Sequence, residues 1–175
     1  MNLDDTIDTS SAAWDAFAKG GPAPAKLLFS HGDDVMLANP FGPAATGWSA
    51  ASDMLDFASS RFSDGHFMGA DRVARYEATD LAVLHETEHW QAKIAGREVR
   101  SDFDLRVTTT FRVEDGTRKI VHRHADPITT LSEDGPLRLR QQLDRSRYWL
   151  AARLGPFFPT EGIGSHPRCR APRHS

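Results

Sequence analysis

The residues with the clearest chemical potential lie in the segment 118–126, a predicted strand. Because successive side chains of a strand point to opposite faces, His122, His124 and Asp126 are expected on one face, with Ile120. A carboxylate in an apolar pocket has a raised pKa and acts as a base near neutral pH, while an imidazole donates to a developing oxyanion or carries the proton. The pattern predicts Asp126 as a catalytic base, with His124 or His122 as its proton donor. The spacing leaves open an outer-face position at which these groups only anchor the sheet.

The two preceding predicted strands offer candidate substrate-binding residues. Arg106 and Thr108 share one face of their strand, and Glu86 and Glu88 share one face of theirs. If Arg106 points inward, it either receives a substrate carboxylate bidentately or forms a buried pair with Glu88. The alternative is a cross-strand ion pair at the sheet surface, which contributes little to stability.

Two tryptophans are candidates for the helical wall of a pocket. Trp14 lies in a predicted helix and Trp48 directly precedes another. Aromatic residues at such spacings also form ordinary core, so pocket wall and core remain two interpretations of the same pattern.

A metal site is a further possibility at the histidine-rich strand. His122, His124 and Asp126 match a two-histidine, one-carboxylate set in residue type. Same-face neighbours on a strand stand ~6–7 Å apart, so convergence on one ion needs a bulge or a ligand such as His85 or His89. The sequence also contains no phosphate-binding glycine loop, nucleophile elbow or paired-cysteine motif. We therefore predict neither a metal nor a cofactor.

The elements that must position these residues are helices followed by strands. The periodicity predicts an amphipathic helix over 3–19 that ends at Gly20, a short helix from Pro24 and a strand over 35–38. It also predicts a third helix that begins near Ser49 and includes Phe62. Four long strands follow, over 68–78, 81–95, 99–113 and 118–126, joined by short turns that predict an antiparallel meander. Helices and strands segregated in this way indicate an α+β fold.

The length of the strands predicts a pocket. A flat sheet of strands this long would overhang its helices, so the sheet is expected to curve into a cone with a mouth. The pocket domain is expected over 1–128. A C-terminal extension over 129–175 is expected to contain a helix over 136–154 and an irregular basic tail.

Composition limits the class of protein. The hydrophobic fraction of 39% and the charged fraction of 26% are those of a globular domain. No apolar run is long enough to cross a membrane, no leader pattern opens the chain, and Cys169 is the single cysteine. We therefore predict a cytoplasmic protein that binds no membrane. An acidic body with a basic C-terminal end also argues against nucleic-acid binding by the body.

The end of the meander resembles a known family. The segments LRVT at 105–108, FRVEDG at 111–116 and KIVHRHADP at 119–127 are similar to the last two strands of the nuclear-transport-factor-2-like (NTF2-like) superfamily. The similarity is narrower to its SnoaL-like and ketosteroid-isomerase-like bacterial branch. Asp80–Glu88 and Gly32–Val35 resemble earlier strands, and the likeness extends over about residues 10–128. Arg118 departs from the pattern, because the family usually has Trp there.

The resemblance implies a cone-shaped α+β barrel, frequent homodimers, and a pocket that commonly receives the positions of His124 and Asp126. It implies isomerisation, cyclisation, dehydration or plain binding without choosing among them. Two hypotheses follow: a cofactor-independent isomerase or lyase acting on a small, mainly apolar carbonyl compound, and a non-catalytic dimeric module that binds a small ligand or a partner. A homodimer is expected through an outer sheet face with an apolar patch, composed of Val107, Thr109, Phe111, Val121 and Ala125.

Overall fold

The computed structural model of this chain describes residues 3–128 of the 175. The predicted C-terminal helix over 136–154, the basic tail and the domain boundary after 128 lie outside or at the edge of the described residues.

Three helices form one layer. Helix α1 spans Leu3–Ala18, α2 spans Ala23–Lys26 and α3 spans Trp48–Ser59. Asp4 and Asp5 lie in the first turn of α1, where the helix dipole favours acidic side chains. Gly20 follows the helix with a φ of 92°, a conformation that glycine adopts without strain. The predicted helices are thus confirmed within one or two residues at most ends.

The second layer is one curved, unclosed sheet of six strands. Its strands are β1 (Met36–Ala38), β2 (Ala45–Thr46), β3 (Phe62–Glu77), β4 (Leu81–Ile94), β5 (Ser101–Glu114) and β6 (Thr117–Pro127), in the spatial order β2-β1-β6-β5-β4-β3. The predicted meander of β3 to β6 is confirmed. The sheet is mixed rather than antiparallel throughout, because β1 pairs with β6 in parallel.

Strand β3 begins earlier than the sequence pattern predicts. The periodicity assigned Phe62 to the third helix, but α3 ends at Ser59 and Phe62 pairs with Ile94 of β4. Pairing across the sheet overrides the local helical pattern at this boundary. Glycine is needed nearby at Gly65, where a Cβ would lie 2.8 Å from the Ala92 Cβ and closer still to the Ala18 carbonyl oxygen. The end of α1 packs directly against the sheet at this point.

A bulge in β6 determines which side chains face the helices. Thr110 of β5 pairs with His122, but Phe111 pairs with Ile120, so Val121 is an extra residue in β6. One extra residue reverses the alternation of all side chains beyond it. As a result, Ile120 before the bulge and Arg123 after it are both buried on the concave face, where α1 packs.

Candidate functional site

A cavity of about 130 Å³ lies between α1 and the concave face of the sheet. Its wall combines apolar groups with four charged side chains, two carboxylates and two guanidinium groups. The lining residues are Ile7, Ser10, Ser11, Trp14, Phe67, Ala70, Arg72, Leu84, Glu86, Glu88, Thr109, Phe111, Ile120 and Arg123.

The inner end of the cavity contains a buried ion pair. Glu88 of β4 is 2% exposed and Arg123 of β6 is 6% exposed. The Arg123 Nη2 donates to both carboxylate oxygens of Glu88, at 2.9 and 2.7 Å. Burying either charge alone is very costly, so the two residues stabilise each other as a unit.

Neighbouring side chains hold this ion pair in place. The Trp90 Nε1 donates to Glu88 Oε2 at 3.1 Å, and the Arg123 Nη1 donates to Thr109 Oγ1 at 3.2 Å. The Arg123 guanidinium also lies 4.2 Å from the ring centre of Trp14, a cation–π contact. The pair is therefore held in its orientation by side chains of β4, β5 and α1.

Glu86, the second carboxylate of the cavity, is paired less closely with a cation than Glu88 is. Its side chain is 13% exposed, and its nearest cation is Arg72 of β3, which is 37% exposed and lies 3.5 Å away, Nε to Oε1. Burial, and then the negative charge of Glu88, raise the pKa of Glu86 above its ordinary value, and Arg72 opposes that rise. A carboxyl group with a raised pKa beside apolar groups is suited to taking up and releasing a proton near neutral pH.

The predicted catalytic residues come together on the opposite, convex face. His124 is 50% exposed and Asp126 45% exposed, and their Nε2 and Oδ2 atoms lie 3.3 Å apart. Arg106 lies beside Asp126 at 4.0 Å and is more exposed still. His122 is partly buried, and this burial, followed by the nearby His124, lowers its pKa.

The expectation that His122, His124 and Asp126 share a face with Ile120 is wrong, because the bulge at Val121 reverses the alternation between Ile120 and Asp126. The outer-face position that the spacing left open is the one these residues occupy. Their catalytic roles stay a prediction, to which the convex position gives no support. Thr108 shares that convex face, where its Oγ1 lies 2.9 Å from the Nδ1 of His85.

The apolar set expected on the outer face lies inside. Four of its five members, Val107, Thr109, Phe111 and Ala125, are buried, and Val121 at the bulge is partly buried, so the residues on which the homodimer prediction rested form no exposed patch. The dimer itself stays a prediction. Of the two tryptophans, Trp14 lines the cavity, whereas Trp48 stacks on His31 with 3.9 Å between ring centres.

The sequence interpretation missed Arg72, Arg123 and the role of Glu86. It had Glu88 as a substrate-binding residue or as one half of a buried pair, and the cation is Arg123 rather than Arg106. The sequence of β5 contained a signal of which sheet face is buried. Leu105, Val107 and Phe111 alternate with polar residues, which is typical of the buried face of a half-exposed strand, so these residues could have been assigned to the inner face. For Arg72 no such signal was present. The register of β3 against β4 shifts at Met68, so counting alternate residues along β3 does not predict which face Arg72 occupies.

Residues 3–128 contain no group of three or more His, Cys, Asp or Glu side chains placed to hold a metal ion. Within the same residues, no helix is both long and apolar enough to span a membrane.

Solved structures with the same architecture identify the fold. An NTF2-like superfamily protein from Salmonella enterica matches with a TM-score of 0.61 and 19% identity over 74% of this chain and 90% of its own. A candidate dehydratase of the NTF2-like family from Streptomyces avermitilis matches with a TM-score of 0.60 and 17% identity, over 74% of this chain and all of its own (100%). A candidate association domain of calcium/calmodulin-dependent protein kinase type II from Thiobacillus denitrificans matches with a TM-score of 0.58 and 17% identity, over 73% of this chain and 96% of its own.

The chain therefore has the α+β cone fold of the NTF2-like superfamily, as the resemblance of its last two strands predicted. No family model and no curated protein sequence matches it. At such identities the likeness establishes the fold and no particular activity.

Proposed function

We propose that this protein is a cofactor-independent enzyme of the isomerase or dehydratase type, with Glu86 as its acid–base residue. The observation that carries the proposal is a half-apolar cavity in which one carboxylate, Glu88, is neutralised by Arg123 while a second, Glu86, has a raised pKa and only a loose cation partner. Perturbed carboxylates in clefts are common at catalytic sites.

The proposed reaction begins with proton removal. The Glu86 carboxylate takes a proton from the carbon next to a substrate carbonyl, and the C–H electron pair moves onto the carbonyl oxygen to form an enolate. The Arg72 guanidinium, opposite Glu86, stabilises that oxygen. Protonated Glu86 then returns the proton to another carbon, which is isomerisation, or to a departing hydroxide, which is dehydration.

The size of the cavity limits the substrate. Its volume of about 130 Å³ is close to that of apolar cavities of roughly 150 Å³ that bind benzene. A compound of roughly six to eight non-hydrogen atoms fits by this comparison, whereas a polycyclic compound does not.

A second candidate is a non-catalytic dimeric module that binds a small ligand or a partner. It is favoured by the likeness to the candidate kinase association domain and by a cavity that the Glu88–Arg123 pair already partly fills. Such a module would use the cavity for binding without proton transfer.

Deuterium exchange tests the proton-removal step without knowledge of the natural substrate. The protein is incubated in deuterium oxide with a panel of small ketones, aldehydes and oxo acids, and loss of the proton signal next to the carbonyl is followed by NMR. We expect exchange above the buffer rate for at least one compound. Glu86→Gln should slow this exchange by roughly 10²–10⁴-fold, the usual contribution of a general base.

Asp126→Asn is the matched control, because it removes a carboxylate from the convex face. It should leave exchange unchanged. Loss of exchange in Asp126→Asn but not in Glu86→Gln would return the active site to the convex face. Binding of panel compounds without exchange in the unmodified protein would favour the non-catalytic module.

A further inference from the structure

Arg72 is a guanidinium with donors available at the cavity. It lies opposite Glu86 in the pairing of β3 with β4, and its Nε is 3.5 Å from Glu86 Oε1. That contact with Glu86 is long for a hydrogen bond, and among residues 3–128 no shorter one engages the Arg72 guanidinium. An arginine fork in this state is suited to binding a carboxylate through two parallel hydrogen bonds.

The other polar groups of the cavity are already engaged. Arg123 donates to Glu88 and to Thr109. The hydroxyl groups of Ser10 and Ser11 both donate to the Ile7 carbonyl oxygen, at 2.7 and 3.4 Å. The remainder of the wall is mostly apolar, including Leu84, Phe111 and Ile120. An anionic group entering this cavity therefore finds its partner at Arg72, and an apolar chain finds the remaining wall.

The closeness of Arg72 to Glu86 restricts the ligand further. A carboxylate on the Arg72 fork lies within a few ångströms of Glu86, so the carbon that Glu86 deprotonates must be near that carboxylate. In a 2-oxo acid, the carboxylate, the carbonyl and the acidic carbon are consecutive, so one guanidinium can lie beside both the carboxylate and the oxygen that carries the enolate charge. We propose that the substrate is a short-chain 2-oxo carboxylic acid whose carboxylate binds Arg72, a specificity that rests on the proposed function of Glu86.

Binding of such an acid should also change the pKa of Glu86, the proposed base. The charged groups facing Glu86 are Arg72 from β3, Glu88 from β4 and Arg123 from β6, and α1 adds only uncharged side chains to the cavity wall. When the substrate carboxylate occupies Arg72, Glu86 loses the nearest cation that opposes its raised pKa. The pKa of Glu86 then rises further, so ligand binding is coupled to partial proton uptake, and the fraction of Glu86 that stays ionised is the stronger base that removes the substrate proton.

The test compares a charged and a neutral ligand of similar shape. The probes are 2-oxobutanoate and pentan-3-one, in which an ethyl group replaces the carboxylate. Binding is measured by NMR titration, and exchange at the carbon next to the carbonyl is measured in deuterium oxide. We expect the acid to bind at least about tenfold more tightly than the ketone. Arg72→Gln should abolish that preference, because it should weaken binding of the acid more than binding of the ketone.

Arg106→Gln is the matched control, because it removes an exposed arginine from the convex face. It should keep the preference for the acid. Calorimetry in two buffers of different protonation enthalpy should detect proton uptake with 2-oxobutanoate, and Glu86→Gln should abolish it.

The outcomes separate the two proposals. If Arg72→Gln keeps the preference for the acid, or if the ketone binds and exchanges as well as the acid, the 2-oxo acid proposal is wrong while Glu86 can still be the base. If 2-oxobutanoate binds through Arg72 and neither it nor any panel compound exchanges, the acid-binding role of Arg72 holds, and both the enzymatic function and a 2-oxo acid as substrate are wrong.

Discussion

Replacing Arg123 by methionine should lower the stability of the fold, because it leaves the buried Glu88 carboxylate at the end of the cavity without its cation. The substitution removes the two hydrogen bonds to Glu88 at 2.7 and 2.9 Å, the bond to Thr109 and the contact with the Trp14 ring. Glu88 remains almost fully buried without its cation. Breaking one side of a buried pair costs about 3–5 kcal/mol. For a chain of this length the loss corresponds to a melting temperature lower by roughly 10 °C.

A double-mutant cycle with Glu88→Gln isolates the interaction. Glutamine is neutral and its oxygen still accepts from the Trp90 Nε1, so the double variant should be no less stable than Arg123→Met alone. Urea unfolding of the four proteins gives the coupling energy. As a control, Arg106→Met breaks only an exposed contact with Asp126 and should change stability by less than about 0.5 kcal/mol. Additive effects of the two single substitutions, or a loss below about 1 kcal/mol in Arg123→Met, would refute the reasoning.

Three further predictions concern stability. Because the pKa of Glu86 is raised above its ordinary 4.5 in the folded state, the protein loses stability as the pH rises from that value through the raised pKa. Glu86→Gln should therefore melt at a higher temperature than the unmodified protein at neutral pH, and an advantage that persists below pH 4.5 would contradict this cause. Arg118→Met removes a buried Nη1 without a hydrogen-bond partner among residues 3–128, at the expense of an ion pair with the part-exposed Glu77. Urea unfolding should show no change or a gain of up to about 2 kcal/mol, and a clear loss would show that the guanidinium stabilises the fold. Gly65→Ala places a Cβ against the Ala18 backbone and should cost about 1–3 kcal/mol or more. Gly96→Ala, in open space at a φ of 81°, should lose only about 1 kcal/mol, and equal losses would mean that the packing at Gly65 relaxes.

Local patterns were sufficient for most of the fold. The acidic first turn and the glycine stop of α1, and the turn residues Asp115 and Gly116, both at positive φ, are properties of short segments. Each is decided by residues within a few positions of one another. The order of helices and then long strands, and hence the α+β class and the curved sheet, follows from such segments taken together.

Local patterns could not predict the early start of β3. Phe62 continues the apolar periodicity of α3, and only its pairing with Ile94 assigns it to the sheet. The parallel pairing of β1 with β6 joins segments more than 80 residues apart along the chain, from Met36 to His122. The pattern of residues within a short segment cannot predict pairing between strands that are so far apart along the chain.

The sequence by itself determined β1 and the four long strands but not the two-residue β2, and it also determined the neighbours of β4, β5 and β6 in the meander and the presence of charged groups suited to a pocket. Tertiary structure alone decided which of those groups enter it. The extra residue Val121 reverses the alternation in β6, so Arg123 points to Glu88 and His124 and Asp126 point outward. The physical reason is that side-chain direction along a strand has a period of two, so one unpaired residue exchanges the two faces for every residue that follows.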